Sequence, residues 1–152
     1  MQHQRIEAFA ENGRQSEPIL KTIVPGFVAK IDNVRLAATL SSATVSALKK
    51  SWAAHPVLIF PNQPFSTGKL ENLARQLGEI GHDPYIRPLQ EQTHVVEVRR
   101  EPQETAPIFG ASWHSDWSFQ ARPPSGTLLH AKVVPPIGGD TLFADCYAAY
   151  EA

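Results

Sequence analysis

The alternation of apolar and polar positions predicts two strands in the first half of the chain. Residues 27–31 follow the breaker pair Pro25-Gly26 and alternate apolar with small or polar side chains, as a half-buried strand does. Residues 57–60 form a short, continuously apolar run between two prolines. Such a run is typical of a strand covered on both faces, so we expect residues 57–60 to be a core strand.

Two amphipathic helices are predicted around these strands. Ser42 is a candidate N-cap for a helix that runs to about His55, and Ser66 is a candidate N-cap for a second helix that runs to Leu77. Gly78 is expected to end the second helix. The apolar stripes are formed by Val45, Leu48 and Trp52 in the first helix and by Leu70, Leu73, Ala74 and Leu77 in the second.

The second half of the chain is richer in turns, and its pattern predicts strands. Residues 94–98 are expected to form one strand, and residues 127–134 and 140–144 a hairpin-like pair joined by a Pro- and Gly-rich turn. The final segment begins with a good N-cap, Asp145, but stops without a C-terminal cap. We therefore expect residues 1–152 to be the first part of one longer domain.

Composition and charge exclude several classes of partner. Fourteen basic and fifteen acidic side chains give a net charge of -1, so no basic face is expected for nucleic acid or anionic lipid. No apolar run approaches the ~20 residues of a membrane span. The single cysteine, Cys146, and the lack of an apolar leader at the start predict a cytoplasmic protein.

The most informative chemistry lies in the triplet His114-Ser115-Asp116, which stands between large aromatic side chains. In an extended backbone alternate side chains share a face, so the imidazole and the carboxylate can reach one ion. They supply two of the three ligands of the 2-His-1-carboxylate triad that suits Fe(II). Alone, the triplet is more simply explained as a chance pair that is hydrogen-bonded in a loop, since the chain has six histidines.

Four blocks in order strengthen the metal interpretation. Residues 113–119, 123–129, 138–143 and 148–151 resemble, in sequence and spacing, the taurine dioxygenase family, which includes alkylsulfatases and phenoxyacetate dioxygenases. The resemblance extends from about residue 27 to residue 152. It implies a mainly β fold with flanking α-helices, a double-stranded β-helix of jelly-roll type. The chain would contain only part of this barrel and would stop before it closes.

The resemblance also implies a reaction and its cofactors. His114 and Asp116 fall on the first two iron ligands of the family, and Thr141 falls on its threonine that hydrogen-bonds a carboxylate of 2-oxoglutarate. With Fe(II), 2-oxoglutarate and O2, such enzymes hydroxylate a small organic substrate and release succinate and CO2. A second histidine ligand and an arginine for 2-oxoglutarate are expected beyond residue 152. His130 is expected to be exposed rather than a ligand.

The substrate is less clearly indicated than the chemistry. Taurine-type enzymes carry an asparagine where this chain has Gly110, which argues against taurine itself. His82 and Tyr85 are candidate pocket residues in a turn-rich loop, although a His and a Tyr there are more often surface groups. A sulfonate, a sulfate ester or an aryloxy acid remains the expected substrate class.

Two alternative functions stay open at this point. His114 and Asp116 could bind zinc in a hydrolase, with a water molecule in the open position. The chain could also be a non-catalytic fragment or a pseudoenzyme, because it lacks the complete triad. A small-molecule substrate is the expected partner, and a longer parent protein could form a homo-oligomer.

Overall fold

The computed structural model describes residues 17–81, 85, 88–89, 94–107 and 110–152. Strands and two helices fill the first of these ranges, and one short helix lies at the end of the last. In chain order the elements are β1 (Ile19–Val24), β2 (Val28–Asp32), α1 (Ser42–Ala54), β3 (Val57–Ile59), α2 (Thr67–Leu77) and α3 (Cys146–Glu151).

The strands form one three-stranded sheet in the order β1-β2-β3. β1 and β2 pair antiparallel through a tight turn in which Gly26 has φ 68°, a left-handed conformation that glycine adopts without strain. β2 and β3 pair parallel, with α1 in the connection between them. The predicted strand at residues 27–31 is thus confirmed, since β2 alternates partly and fully buried positions.

β3 confirms the predicted strand at residues 57–60 but not its central position. It lies at one edge of the described sheet, and Ile59 remains 44% exposed. The prolines on either side keep the strand short, and only its inner face is packed, through Leu58. The expectation of cover on both faces was wrong within the described structure.

Both helices form where their apolar stripes predict them. The cap of α1 is Ser41 rather than Ser42: the Ser41 hydroxyl accepts a hydrogen bond from the Thr44 amide at 3.1 Å. Ser66 caps α2 by position only, because its side chain makes no capping hydrogen bond. α2 ends at Gly78, whose φ of 171° is extended backbone that any residue can adopt.

The hydrophobic core lies between the sheet and these two helices. Leu48 of α1 and Leu73 of α2 are each 3% exposed and meet Ile31 of β2. Leu36 and Leu40, from the segment between β2 and α1, complete the buried cluster. This core fixes α1 and α2 against the sheet, and the second half of the chain is placed against that scaffold.

The predicted strands of the second half do not form. Residues 94–98, 127–134 and 140–144 all lie within the described ranges, and none of them is a strand. A strand needs a neighbour that completes its ladder of hydrogen bonds, and no other described segment supplies one. The described part is therefore a small mixed α/β unit, and the expected jelly-roll is not seen in it.

The short helix α3 bears out the N-cap that the sequence indicates. Asp145 accepts hydrogen bonds from the amides of Tyr147 and Ala148 at 2.9 and 3.1 Å. Within the described ranges, no helix is both long enough and apolar enough to cross a membrane.

Candidate metal centre

The segment around His114 does not form the strand that its spacing predicts: residues 113–115 have no regular structure, and a turn begins at Asp116. Gly110 has φ 71° and Trp117 has φ 47°, and the Gln120 amide donates to the Trp117 carbonyl at 3.0 Å. The side chains of His114 and Asp116 nevertheless meet, with Nε2 of the imidazole 3.2 Å from Oδ1 of the carboxylate. The predicted proximity is therefore present, although the backbone around the pair is irregular rather than a strand.

The second ring nitrogen of His114 determines how the imidazole faces Asp116. Nδ1 lies 2.8 Å from the Ser112 carbonyl oxygen, which can only accept, so Nδ1 carries the proton in this bond. In a neutral imidazole Nε2 then presents a lone pair toward a carboxylate oxygen. A cation between these two atoms, either a proton or a metal ion, stabilises such an arrangement. A backbone carbonyl that fixes the histidine tautomer is typical of metal sites.

The donor atoms fit a divalent metal ion in separation and in access. Bonds of roughly 2.1 Å are usual for nitrogen and oxygen ligands, so both atoms of a pair 3.2 Å apart can reach one ion. The side chains of His114 and Asp116 are 53% and 43% exposed, which leaves room for further ligands. Among the described residues no group of three or more His, Cys, Asp or Glu side chains gathers at one point.

A residue that the sequence did not single out completes the surroundings of Asp116. The Thr127 hydroxyl donates to Oδ2 of Asp116 at 2.7 Å. Asp116 therefore has one oxygen toward His114 and the other toward Thr127. The two residues are separated by a long irregular loop, and no local periodicity links them. Thr127 lies inside the block 123–129 already noted, which was the one signal available.

Thr141 lies outside this set of contacts. It is exposed, on the irregular stretch that follows Gly138 and Gly139, both of which have φ 76°. Among the contacts of the described residues, none joins Thr141 to His114 or Asp116. The expected role of its hydroxyl therefore remains a prediction.

The three candidate substrate residues have different surroundings. Gly110 is adjacent to the pair, because a Cβ placed on it would lie 3.5 Å from Cε1 of His114. Tyr85 is 77% exposed, and its ring centroid is 6.0 Å from that of Phe119, which follows Asp116 closely. His82 lies outside the described residues.

His130 is half-buried, so its expected exposure was wrong. Its Nε2 donates to the Gln63 carbonyl at 3.1 Å, and its ring makes an edge contact with Phe65 at 5.1 Å. Lys132 donates to the Phe65 carbonyl at 2.7 Å, so His130 and Lys132 both face the loop before α2. His130 therefore joins the 127–134 segment to the loop before α2 rather than to Asp116.

Close packing joins the same part of the chain to α1. A Cβ on Gly126 would lie 2.1 Å from Cζ2 of Trp52, so the backbone at residue 126 lies directly against the indole ring. Trp52 is itself held by a hydrogen bond from Nε1 to the Pro56 carbonyl at 3.2 Å. Thr127 thus follows a residue whose position is set by the scaffold.

A buried carboxylate on α2 anchors the segment that begins at residue 94. Glu71 is 8% exposed, and its Oε1 accepts from Arg75 at 2.6 Å and from His94 at 3.1 Å. The hydrogen bond from the Arg75 guanidinium, with that from His94, holds the pKa of Glu71 below its ordinary value of 4.5 against the opposing effect of burial. Because Arg75 and His94 both bond to Oε1 of Glu71, this cluster ties residue 94 to α2.

Comparison with known proteins adds evidence that is independent of this geometry. The family model for "Taurine catabolism dioxygenase TauD, TfdA family" matches residues 15–152. The match contains every candidate residue named above. It includes the His114–Asp116 pair, Thr127 and Thr141.

Three curated relatives illustrate the range of the similarity. The alpha-ketoglutarate-dependent 2,4-dichlorophenoxyacetate dioxygenase of Cupriavidus pinatubonensis is 32% identical over 84% of this chain and 50% of its own length. The alpha-ketoglutarate-dependent sulfate ester dioxygenase of Pseudomonas putida is 30% identical over 81% of this chain and 40% of its own length. The alpha-ketoglutarate-dependent sulfonate dioxygenase of Saccharomyces cerevisiae is 31% identical over 87% of this chain and 34% of its own length. The chain thus spans half or less of the length of these relatives.

Proposed function

This chain belongs to the taurine catabolism dioxygenase TauD, TfdA family, and from that premise we propose that the protein that carries it is an Fe(II)- and 2-oxoglutarate-dependent dioxygenase. The observation that carries the proposal is the His114–Asp116 pair, whose Nε2 and Oδ1 atoms are 3.2 Å apart. An imidazole and a carboxylate are two of the three protein ligands in non-haem Fe(II) oxygenases.

Each residue has a defined part in the proposed reaction. His114 would hold the metal through Nε2 while Nδ1 donates to the Ser112 carbonyl, and Asp116 would hold it through Oδ1, the oxygen that faces His114. Thr141 donates its hydroxyl to a carboxylate of 2-oxoglutarate. A second histidine ligand and an arginine for the other carboxylate are expected after residue 152 in the full-length protein.

Fe(II), when bound, would supply the oxidation chemistry in which 2-oxoglutarate and O2 give succinate and CO2 while one oxygen atom enters a C–H bond of the substrate. The residues of this chain orient the reactants around the His114–Asp116 pair. Gly110 leaves space beside the His114 ring, where a Cβ would already make contact at 3.5 Å. Gly110, Tyr85 and His82 are assigned to the substrate pocket.

The substrate is proposed to be a small organic anion. The names of the relatives include an aryloxy acid, a sulfate ester and a sulfonate. Addition of each class to the Fe(II)-loaded full-length protein should identify the substrate as the compound that raises succinate formation above the rate with 2-oxoglutarate alone. Hydrolysis of a sulfate ester without consumption of 2-oxoglutarate would instead favour a zinc hydrolase.

Substitution of the pair tests the assignment directly. In the full-length protein, His114→Ala and Asp116→Ala should each reduce succinate formation to background, because either change removes a metal ligand. Asp32→Ala is a matched control: its side chain is 43% exposed, as that of Asp116 is, but it pairs with Lys30 on the sheet. Wild-type turnover in His114→Ala would disprove the proposal.

A further inference from the structure

We propose that Thr127 is a positioning residue that selects which oxygen of Asp116 is offered to the metal. The inference rests on the proposed function and adds to it a residue that makes no contact with the metal itself. Its basis is the hydrogen bond from the Thr127 hydroxyl to Oδ2 of Asp116 at 2.7 Å. Oδ1, the other oxygen, is the atom that faces His114.

The chemistry of a carboxylate makes this selection useful. Its two oxygens are equivalent in the free side chain, and rotation about the last torsion exchanges them or lets both bind one cation. A hydroxyl donor on Oδ2 removes that freedom, because a hydrogen bond to an ionised carboxylate is about twice as strong as a neutral one. Asp116 is then held as a ligand through one oxygen, Oδ1.

The scaffold, rather than the loop alone, sets the position of Thr127. The preceding Gly126 lies against the Trp52 ring, where an added Cβ would be only 2.1 Å from Cζ2. Pro124, two residues earlier, lies against Gly81, where an added Cβ would be 3.1 Å from the Pro124 ring. The chain therefore approaches Asp116 from a point fixed on α1 and on the segment after α2.

The other hydroxyl groups beside the pair do not act in this way. Ser115 and Ser118 lie on either side of Asp116 in the chain, but their hydroxyls bond to each other at 2.7 Å. Among the described residues, the Thr127 hydroxyl is the one that donates to the Asp116 carboxylate. A role in orienting Asp116 is therefore specific to Thr127.

Metal affinity tests the proposal without any measurement of turnover. The metal-free full-length protein is titrated with Co²⁺, an air-stable substitute for Fe(II), in the absence of 2-oxoglutarate. Thr127→Val and Thr127→Ala lack the hydroxyl, and Thr127→Ser retains it. Ser125→Ala is the matched control, because it removes an exposed hydroxyl from the same segment without touching Asp116. Melting temperatures identify any variant that does not fold.

The expected result separates the hydroxyl from the bulk of the side chain. Thr127→Val and Thr127→Ala should bind Co²⁺ at least about tenfold more weakly, as is usual when the hydrogen-bond partner of a metal ligand is removed. Their visible Co²⁺ absorption should also shift, because Asp116 can then bind through both oxygens. Thr127→Ser and Ser125→Ala should keep the wild-type affinity and spectrum.

Several results would overturn the proposal. Wild-type affinity and spectrum in Thr127→Val and Thr127→Ala, with weak binding in Asp116→Ala, would overturn the role of Thr127 but leave the proposed function intact. Equal weakening in Thr127→Ser and Thr127→Val would show that the hydroxyl is not the cause. Equal Co²⁺ binding by wild type and Asp116→Ala would overturn both proposals.

Discussion

Residues 17–81 and residues 110–152 use apolar side chains in opposite ways. In the first region they meet across the sheet and two helices, and every buried hydrophobic residue of the described structure lies there. In the second region large apolar side chains face outward, and Val133 and Ile137 are each 91% exposed. The residues of the candidate metal pair belong to the second region, while the packing that supports them belongs to the first.

The difference shows that an apolar pattern forms an element only when it has a partner. Ala29 and Ile31 of β2 are buried because β1 and β3 complete the hydrogen bonds of β2 and α1 covers one face. Residues 126–134 touch the first region at a few points only, among them the contacts of Gly126 with Trp52 and of His130 with Phe65. Substitutions in the second region should therefore disturb the first region little. Substitutions in the first region should disturb the second region more.

A pair of leucine substitutions should give the largest effect. Leu48→Ala removes a side chain that is 3% exposed in the core, and it should lower the free energy of unfolding by about 2–5 kcal/mol. Leu142→Ala removes one that is 70% exposed, and it should change that energy by less than about 0.5 kcal/mol. Urea denaturation followed by circular dichroism measures both, and similar losses would contradict the division into two regions.

The contact between the regions should give an intermediate effect. Gly126→Ala places a Cβ within 2.1 Å of Trp52, so the ring or the loop must move, at a cost of about 1–3 kcal/mol. The same change should weaken Co²⁺ binding, because Thr127 moves with residue 126. Gly78→Ala is the control: its added Cβ meets nothing within 4 Å, and its backbone is extended. If the two variants melt alike, the close approach at Trp52 has no energetic role.

The buried carboxylate of α2 should give the smallest effect, and a pH-dependent one. Glu71→Gln keeps the shape of the side chain but removes the negative charge of the carboxylate to which Arg75 and His94 donate. At neutral pH it should therefore lower the free energy of unfolding by about 1 kcal/mol. Glu79→Gln is the control, because the pair of Glu79 with Arg122 is exposed on both sides and is worth little.

The direction of the pH dependence follows from the lowered pKa of Glu71. Its contribution to stability is fully present above 4.5, the ordinary value, and is lost as pH falls through the lower value of the folded state. Wild type and Glu71→Gln should therefore converge in stability below pH 4.5. Denaturation curves measured from neutral pH down to that range test this, and a constant difference would exclude the ionised carboxylate as the cause.

Much of the scaffold could be predicted from the sequence because its signals are local. The stripe of α2 and the ends of both helices follow from spacing and capping over a single turn, with an error of one residue at Ser41. The strands expected at residues 94–98 and 127–134 failed for a non-local reason. Their composition favours strands, but composition says nothing about whether a neighbouring strand is present to pair with them.

The candidate site likewise has one part that could be predicted from local sequence and one part that could not. The proximity of His114 and Asp116 could be predicted from a spacing of two residues, although the backbone between them is irregular and not a strand. Thr127 could not be predicted, because its contact with Asp116 depends on where the loop after the pair returns. That return point is set by packing of residue 126 on Trp52, which no local pattern encodes.

The position of Trp52 also gives the molecule an intrinsic optical probe. The indole belongs to α1, yet its ring atoms Cζ2 and Cη2 lie against the backbone of residue 126, so its fluorescence depends on whether the two regions are in contact. With Trp113 and Trp117 replaced by phenylalanine, the tryptophan emission of residues 1–152 would come from this one ring. Its wavelength would then report docking of the metal-carrying segment in real time, with no added label.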